Sequence, residues 1–276
     1  MIKAKPFVKW AGGKRQIINE LKRYVPEEYN CYYEPFIGGG ALFFELAPKH
    51  AVINDSNKEL MNVYKVMTDD EKYSKMCKLL NNYETKNSEE FYYEIRNKDR
   101  DTEKFDKLND YTKAARTIYI NKACFNGLYR VNSKNEFNVP FGKKTKLNTY
   151  EGENILTVHM YLTMNNIDIR CMDFEESVKD AKEGDFVYFD PPYDSDTSTF
   201  NSYTEEGFDR NEHIRLAYVY KELDKKGVKV MLSNHNTEYI NELYKGYNIH
   251  VINAKRSINS KGNKRGNVEE VIITNY

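Results

Sequence analysis

Short apolar runs and longer amphipathic segments alternate at both ends of the chain. The apolar runs predict strands at residues 31–34, 51–55, 167–171, 185–189, 228–232, 247–253 and 268–274. Apolar residues that recur every three or four positions predict helices between Lys14 and Pro26 and at residues 41–46, 173–180, 211–225 and 237–244. Because several strands are apolar throughout, this order indicates an α/β fold whose parallel sheet is covered by helices on both faces.

The middle of the chain has a different pattern. Residues 57–125 are mostly polar with helical periodicity, most clearly at 111–124, and another helix is predicted at 154–164. Two short runs, 128–132 and 136–140, flank Ser133-Lys134-Asn135, which predicts a β-hairpin or a pinned loop. We therefore expect a discontinuous sheet domain formed by residues 1–60 and 165–276, with residues 61–164 inserted into it.

Composition and charge narrow the class of protein. The 276 residues are 40% hydrophobic and 30% charged, with a formal net charge of +0. Residues 111–150 nevertheless contain eight Lys or Arg and one acid, and residues 253–266 contain five basic residues and no acid. Such segments indicate either contact with a polyanion or a solvated basic face. The sequence has no apolar run of the ~20 residues that a membrane helix needs and no signal-peptide core, so a cytoplasmic protein is expected.

The cysteines give no sign of a metal site. Cys31, Cys77, Cys124 and Cys171 are widely spaced, so neither a zinc cluster nor a disulfide framework is expected. Cys31 and Cys171 fall in predicted buried strands, where a thiol packs as a small hydrophobe.

A glycine-rich turn follows the first predicted strand. Glu34 ends that strand, Gly38-Gly39-Gly40 follow, and Asp55 ends the next strand. Open α/β sheets bind ligands at the carboxyl ends of their strands, and an acid placed like Asp55 commonly accepts hydrogen bonds from ribose hydroxyls. Phe43 stands where a dinucleotide-binding motif needs Gly or Ala, which favours a nucleoside ligand over a dinucleotide. Taken alone, the glycines are equally compatible with a structural turn.

A second motif, Asp190-Pro191-Pro192-Tyr193, follows a strand that is apolar throughout. The prolines remove two backbone donors and fix the directions of the neighbouring carbonyl groups. The Asp190 carboxylate and a carbonyl could accept the two N–H bonds of an exocyclic amino group while the Tyr193 ring stacks on a base. A turn that only ends the strand is the alternative.

Together these motifs resemble the Dam-like, D12-class adenine-N6 DNA methyltransferases of the α group, over nearly the whole chain. The segments that carry the resemblance are Lys9–Lys14, Glu34–Gly40, Asp55, Asp173-Phe174, Phe125–Asn132, Glu136–Gly142 and Asp190–Tyr193. The resemblance implies a Rossmann-like sheet that binds S-adenosylmethionine and an inserted target-recognition domain for double-stranded DNA. It further implies methyl transfer to adenine N6 after base flipping, usually at the site GATC. We expect a monomer, without a bound metal.

The resemblance also assigns the cofactor and catalytic residues. The cofactor would contact Trp10, Ala11, Gly12, Lys14, Glu34, Phe36, Gly38, Gly40, Asp55, Asp173, Phe174 and Asp190. Lys14 would pair with the methionine carboxylate and Trp10 would cover the ligand, with core packing as the alternative for Trp10. Asp173 and Phe174 would hold the cofactor's adenine, although Asp173 could also be a helix N-cap. The catalytic residues would be Asp190, Pro191, Pro192 and Tyr193.

The DNA contacts implied by the resemblance lie mainly in the insert. They are Lys9, Phe125, Asn126, Leu128, Arg130, Asn138, Pro140 and Lys143. Arg130 and Lys9 would each contact a guanine. Phe125 would wedge into the base stack, at a position where the family often has Tyr. The apolar pair Leu128 and Pro140 would touch bases, with packing inside the insert as the alternative for Phe125 and Leu128. Two polar residues would hold phosphates: Asn126 and Lys143.

Several alternatives remain open from the sequence. Ser233-Asn234-His235 could form a wall of the base pocket, or His235 could be an exposed turn residue; the basic loop 256–266 could contact the DNA backbone or be an ordinary surface loop. The same tetrapeptide would suit an RNA or protein amino-group methyltransferase, but residues 125–142 favour a reader of duplex DNA. A dinucleotide-dependent oxidoreductase is disfavoured by Phe43, and an inactive DNA-binding module by the intact motifs.

Overall fold

The computed structural model describes residues 3–10, 12–144, 146–149, 152–194, 208–255 and 267–276. Within this part, seven strands form one sheet. They are β1 Tyr32–Glu34, β2 His50–Asn54, β3 Asn166–Arg170, β4 Phe186–Phe189, β5 Lys229–His235, β6 Asn248–Lys255 and β7 Asn267–Thr274. Their order across the sheet is β3-β2-β1-β4-β5-β7-β6. The α/β fold class predicted from the sequence is thus confirmed.

Strand direction follows from the connections. The pairs β1–β2, β1–β4, β2–β3 and β4–β5 are parallel, as expected when helices cross between successive strands. β7 runs antiparallel to both of its neighbours, so the prediction of a wholly parallel sheet was wrong at this strand. The physical reason is that residues 256–266 are too few to hold a covering helix and its two loops, and a short connection returns the chain in the opposite direction.

Helices cover both faces of the sheet. They are α1 Ile18–Lys22, α2 Ala41–Leu46, α3 Lys58–Val66, α4 Asp70–Thr85, α5 Glu89–Arg96, α6 Thr102–Asp106, α7 Asp110–Ala123, α8 Gly152–Met164, α9 Phe174–Ser177, α10 Arg210–Lys225 and α11 Glu238–Leu243. One hydrophobic core joins one face of the sheet to α2, α3, α7 and α8, and a second core packs α9, α10 and α11 on the other face. No helix among the described residues is long and apolar enough to span a membrane.

The middle of the chain packs around α7, which is buried over most of its length. Its Arg116 side chain, 1% exposed, pairs with Glu59 at 2.9 Å and with Asp99 at 2.6 Å. Arg116 therefore does not contribute to the basic surface that the charge count of residues 111–150 indicated. Because buried charges are retained only when they are paired, this network fixes α7 against α3 and against the 3-10 turn Asn97–Arg100 that follows α5.

Two local predictions also differ from the structure. The predicted helix after Lys14 is a 3-10 turn at Lys14–Gln16 followed by the five residues of α1. Cys31 and Cys171 lie just outside β1 and β3 and are only half-buried, so they are not strand-core residues. Both differences arise at element ends, where apolar periodicity carries little information.

Candidate functional site

The carboxyl ends of the parallel strands bring the predicted motifs to one edge of the sheet. Asn54, at the end of β2, fastens the loops together: its Nδ2 donates to the carbonyls of Pro35 and Met172, each at 3.0 Å. The same side chain accepts the Met172 backbone N–H at 3.0 Å. Asn54 is 1% exposed and was missed at the sequence level, since only the folded sheet makes its partners neighbours.

Two positions of the glycine-rich turn, Gly38 and Gly40, have no room for a side chain. Gly38 has φ +47°, and a Cβ there would lie 2.8 Å from Cδ1 of Trp10. Gly40 has φ +70°, and its Cβ would lie 2.9 Å from the Tyr64 hydroxyl. Both positions therefore require glycine for conformation and for space. The turn is held from below, because Gly38 N–H donates to Asp55 Oδ2 at 3.1 Å.

The two acids beside this turn are perturbed by burial. Burial raises the pKa of Asp55 to about 6, although the N–H groups of Asn57 and Gly38 partly offset the effect. Burial raises the pKa of Glu34 well above its usual range; its side chain is 3% exposed and accepts the Tyr32 hydroxyl at 2.7 Å. Glu34 thus lies behind the turn, whereas Asp55 is only partly buried at the strand end.

Arg215, which the sequence analysis did not single out, contacts both Asp173 and Phe174. Asp173 caps α9 by accepting Glu175 N–H at 2.9 Å, as one of its two interpretations predicted. Its carboxylate also receives both Arg215 Nη atoms, at 2.8 and 2.7 Å. The Arg215 guanidinium lies 4.2 Å from the Phe174 ring centroid, and Phe36 packs against Phe174 with ring centroids 5.3 Å apart. Burial tends to raise the pKa of Asp173, but Arg215 lowers it overall.

The Asp190 carboxylate is held in place through its Oδ1 atom. Its Oδ1 accepts Lys14 Nζ at 2.7 Å and Ser233 Oγ at 3.0 Å, and Ser233 in turn bonds the Tyr188 hydroxyl at 2.9 Å. Among the described residues, Oδ2 has no hydrogen-bond partner. Burial raises the pKa of Asp190, opposed mainly by the Lys14 charge. Lys14, predicted to pair with a cofactor carboxylate, therefore has Asp190 and the Gly12 carbonyl, at 2.7 Å, as partners here.

Among the described residues, Glu270, Lys14 and His235 contact the Tyr193 side chain. Its hydroxyl donates to Glu270 Oε2 at 3.1 Å, Lys14 Nζ lies 4.4 Å from its centroid, and the His235 ring meets it edge-on at 4.9 Å. His235 therefore packs against Tyr193 rather than lying in an exposed turn, and it is the last residue of β5. Pro191 is buried and Pro192 is half-buried. Because the two prolines restrict the backbone, the segment Asp190–Tyr193 forms a rigid corner after β4.

The predicted hairpin is present as a short loop with one antiparallel bridge, Val131 to Phe137. Its residues alternate in direction. The buried positions are Tyr129, Val131, Phe137 and Val139. The exposed or half-buried positions are Leu128, Arg130, Asn138 and Pro140. The second run, residues 136–140, is held in place by Asp99, which accepts Phe137 N–H at 2.9 Å. The loop thus presents polar and apolar side chains to solvent on one face, while the buried side chains of its other face anchor it.

The predicted DNA contacts lie on the solvent side of this loop. Arg130 Nε donates to Asn138 Oδ1 at 2.7 Å, which aligns the guanidinium across the hairpin. Phe125 is 52% exposed, so packing inside the insert does not explain it. Lys9, Asn126, Pro140 and Lys143 are exposed as well. Trp10 links both parts of the site, because its ring stacks on Tyr129 at 4.7 Å while it faces Gly38.

Comparison with known proteins identifies the family of this chain. Residues 10–258 match the family described as D12 class N6 adenine-specific DNA methyltransferase. The chain belongs to this family. It is 50% identical to the type II methyltransferase M1.LlaDCHI of Lactococcus lactis subsp. cremoris, over 100% of this chain and 96% of the relative. It is 41% identical to the type II methyltransferase M.MjaIII of Methanocaldococcus jannaschii, over the full length of both.

A third relative is the DNA adenine methylase of Escherichia coli strain K12, which is 34% identical over 99% of this chain and 95% of the relative. The family thus confirms the predicted activity: the chain is an adenine-specific DNA methyltransferase, whose methyl donor is S-adenosylmethionine and whose substrate is DNA. RNA or protein as substrate, the alternative left open by the tetrapeptide, is not what this D12-class family modifies.

Two predicted parts of the methyltransferase site lie outside the described residues. They are Ala11 in the first motif and the basic loop 256–266. The other predicted cofactor and catalytic residues gather at the carboxyl edge of the sheet, and the predicted DNA contacts gather at the hairpin and Lys9. Sequence reasoning missed Arg215 and Glu270; the available signal was the pair of acids Glu269-Glu270 in the last predicted strand.

Proposed function

We propose that this methyltransferase modifies adenine N6 in duplex DNA at the site GATC after rotating the target base out of the helix. The observation that carries the proposal is the geometry of Asp190, whose Oδ1 is held by Lys14 and Ser233. Its other oxygen is left to accept a substrate N–H. Residues 61–164 would form the target-recognition domain, and residues 1–60 and 165–276 the catalytic domain of a cytoplasmic monomer.

The donor set at the sheet edge fits S-adenosylmethionine. Asp55, Asp173 and Asp190 supply carboxylates for ribose hydroxyls, an adenine amino group and a ligand that bears two positive charges, while Gly38 and Gly40 let the ligand approach the backbone. Trp10, Gly12, Lys14 and Phe36 would complete the site. When bound, the cofactor supplies an electrophilic methyl group on a sulfonium. The pairing of Asp173 with Arg215 means that Arg215 must share or release this carboxylate when adenine binds.

The chain's own residues would act on the adenine amino group. That nitrogen is a poor nucleophile because its lone pair is delocalised into the ring. Asp190 Oδ2 and the Pro191 carbonyl would accept its two N–H bonds, which moves electron density onto nitrogen and directs its lone pair. Tyr193 would stack on the extruded base, offsetting the few kcal/mol that unpairing and unstacking cost. The amino nitrogen would bond to the methyl carbon as the sulfur–methyl bond breaks to leave a neutral thioether, and the amino group would release one proton to Asp190 Oδ2 or to solvent; a cysteine nucleophile is not required for such a direct displacement.

The hairpin supports duplex DNA recognition. Arg130, aligned by Asn138, would bond O6 and N7 of one guanine, a contact worth about 1–3 kcal/mol of discrimination, and Lys9 would reach the other guanine. Phe125 would fill the space left in the stack. Leu128 and Pro140 would meet bases, while Asn126 and Lys143 would hold phosphates. GATC rests on the family that these motifs resemble.

Methylation of an unmodified plasmid, followed by single-molecule mapping of modified adenines, tests the proposed site. We expect one modified adenine in each GATC strand. Modified adenines in another sequence would overturn GATC alone, and an unmodified plasmid would overturn the activity. Base flipping is tested separately with 2-aminopurine at the target position, where fluorescence should rise on binding. The matched control carries 2-aminopurine at a neighbouring position, and an equal rise there would refute specific flipping.

A further inference from the structure

The backbone of Lys9 is gripped by a buried asparagine of the insert. Lys9 N–H donates to Asn121 Oδ1 at 2.9 Å, and Asn121 Nδ2 donates back to the Lys9 carbonyl at 2.8 Å. Asn121 is 1% exposed and lies in α7, two residues before that helix ends. One side chain thus satisfies both backbone groups of one residue, as a neighbouring strand would do.

The Lys9 side chain is confined from the other side by Gly127. This glycine has φ +66°, and a Cβ there would lie 2.4 Å from Lys9 Cδ and 2.9 Å from Lys9 Cβ. Asn121 Nδ2 also lies 3.4 Å from the Gly127 carbonyl. The aliphatic part of the Lys9 side chain therefore lies against Gly127, near the start of residues 125–142, which are the proposed reading loop. The Lys9 backbone is bound to α7, the helix that leads into this loop.

We propose that Asn121 is a positioning residue that determines base discrimination by Lys9. This inference rests on the proposed reading of a guanine by Lys9. A lysine side chain has four rotatable bonds, so its ammonium discriminates between bases only if the backbone is placed accurately. Because α7 runs into the hairpin, the Asn121 clamp keeps Lys9 in fixed register with Arg130, and the two readers meet the DNA as one unit.

The chain contains a matched control for this clamp. Four residues before Lys9, the N–H of Lys5 donates to Asn154 Oδ1 at 2.9 Å and Asn154 Nδ2 donates to the Lys5 carbonyl at 3.0 Å. Asn154→Ala therefore removes the same pair of hydrogen bonds from the same segment without touching Lys9. Asn121→Ala, Lys9→Ala and Asn154→Ala would be compared in kcat and KM on the mapped site and on duplexes with each base pair substituted in turn.

We expect Asn121→Ala to lose about tenfold in discrimination at the base pair that Lys9→Ala also relaxes, through a higher KM on the mapped site and little change in kcat. Asn154→Ala should discriminate like the wild type. Discrimination retained by Asn121→Ala but lost by Lys9→Ala would overturn the inference while leaving the proposed reading intact. Full discrimination by Lys9→Ala would overturn both.

A second variant keeps the inference testable if Asn121→Ala does not fold, as judged by thermal unfolding. Gly127→Ala pushes on the Lys9 stem from the opposite side of the clamp. It should relax the same base pair as Lys9→Ala. Relaxation confined to the base pair read by Arg130 would show that the loop, and not the placement of Lys9, was disturbed, and would count against the inference.

Discussion

Replacing Asp190 by asparagine tests its proposed role as a hydrogen-bond acceptor while keeping the shape of the side chain. Asp190 Oδ1 faces two donors, Lys14 Nζ at 2.7 Å and Ser233 Oγ at 3.0 Å. The amide oxygen of the introduced asparagine would stay with these donors, so its NH2 group would face the substrate amino group. A donor would then oppose a donor at the point where the carboxylate is proposed to accept a hydrogen bond.

The magnitude follows from the hydrogen bond that the substitution removes. A hydrogen bond to a charged acceptor contributes about 1.5–3 kcal/mol, which is about 10- to 150-fold in rate, and placing a donor against the substrate donor adds to that loss. Removing one preorganised group that stabilises a transition state lowers kcat by about 10²–10³. Because the Asp190 side chain is only 18% exposed, water replaces the missing acceptor poorly. We therefore expect Asp190→Asn to lower kcat by about 10²–10³, and Asp190→Ala to abolish methylation in a folded protein.

The assay is single-turnover transfer of a labelled methyl group to a duplex that carries the mapped site. Calorimetric binding of S-adenosylmethionine would measure how much of the effect comes from the cofactor, which Asp190 is also proposed to contact, and thermal unfolding would show that the variant retains its fold. Asp180→Asn is the matched control, since Asp180 is a surface carboxylate that pairs with Arg170 at 2.7 Å, outside the corner. A near-normal rate for Asp190→Asn would refute the assignment of Asp190 as the acceptor.

The other predictions concern the cofactor site, the reading loop and the core. Because the pKa of Asp55 is raised to about 6 and ribose hydroxyls favour its ionised form, cofactor affinity at pH 5 should fall to about a tenth of its value at neutral pH. Asp55→Asn should bind more weakly and lose this dependence in calorimetry. Arg130→Ala should relax the choice at one base pair more than it weakens binding; equal weakening on all duplexes would mark a phosphate contact. Arg116→Ala should lower the free energy of unfolding in urea by about 3–5 kcal/mol, because Glu59 and Asp99 lose their buried partner; an unchanged midpoint would contradict this.

The sheet was largely predictable because most of its strands are apolar runs, such as β4 and β5, whose identity does not depend on distant contacts. The glycine turn and the Asp190–Tyr193 corner were predictable for a related reason, since each motif is contiguous in the chain. The direction of β7 was missed because direction depends on the connection between strands, and apolar patterning carries no sign of it. Strand ends were also displaced, as at Cys31 and Cys171.

Residues that act through long-range hydrogen bonds could not be predicted. Asn54 bonds Met172 across 118 positions, and Asn121 bonds Lys9 across 112. An asparagine of this kind is indistinguishable in sequence from one on the surface. Arg116 shows the reverse error, because a basic residue in a basic segment was counted toward a surface and is enclosed in the core. Its acidic partner Glu59 lies outside that segment.

Buried and exposed residues alternate along the hairpin, so substitutions in these two sets of residues have different consequences. If the loop contacts DNA as proposed, substitutions at Arg130, Asn138 or Pro140 would alter that contact but remove little buried surface, whereas Tyr129 or Phe137 cannot change without opening the packing beneath. A new target sequence could therefore arise by drift at a few outward positions while the enzyme remains folded and able to transfer methyl groups.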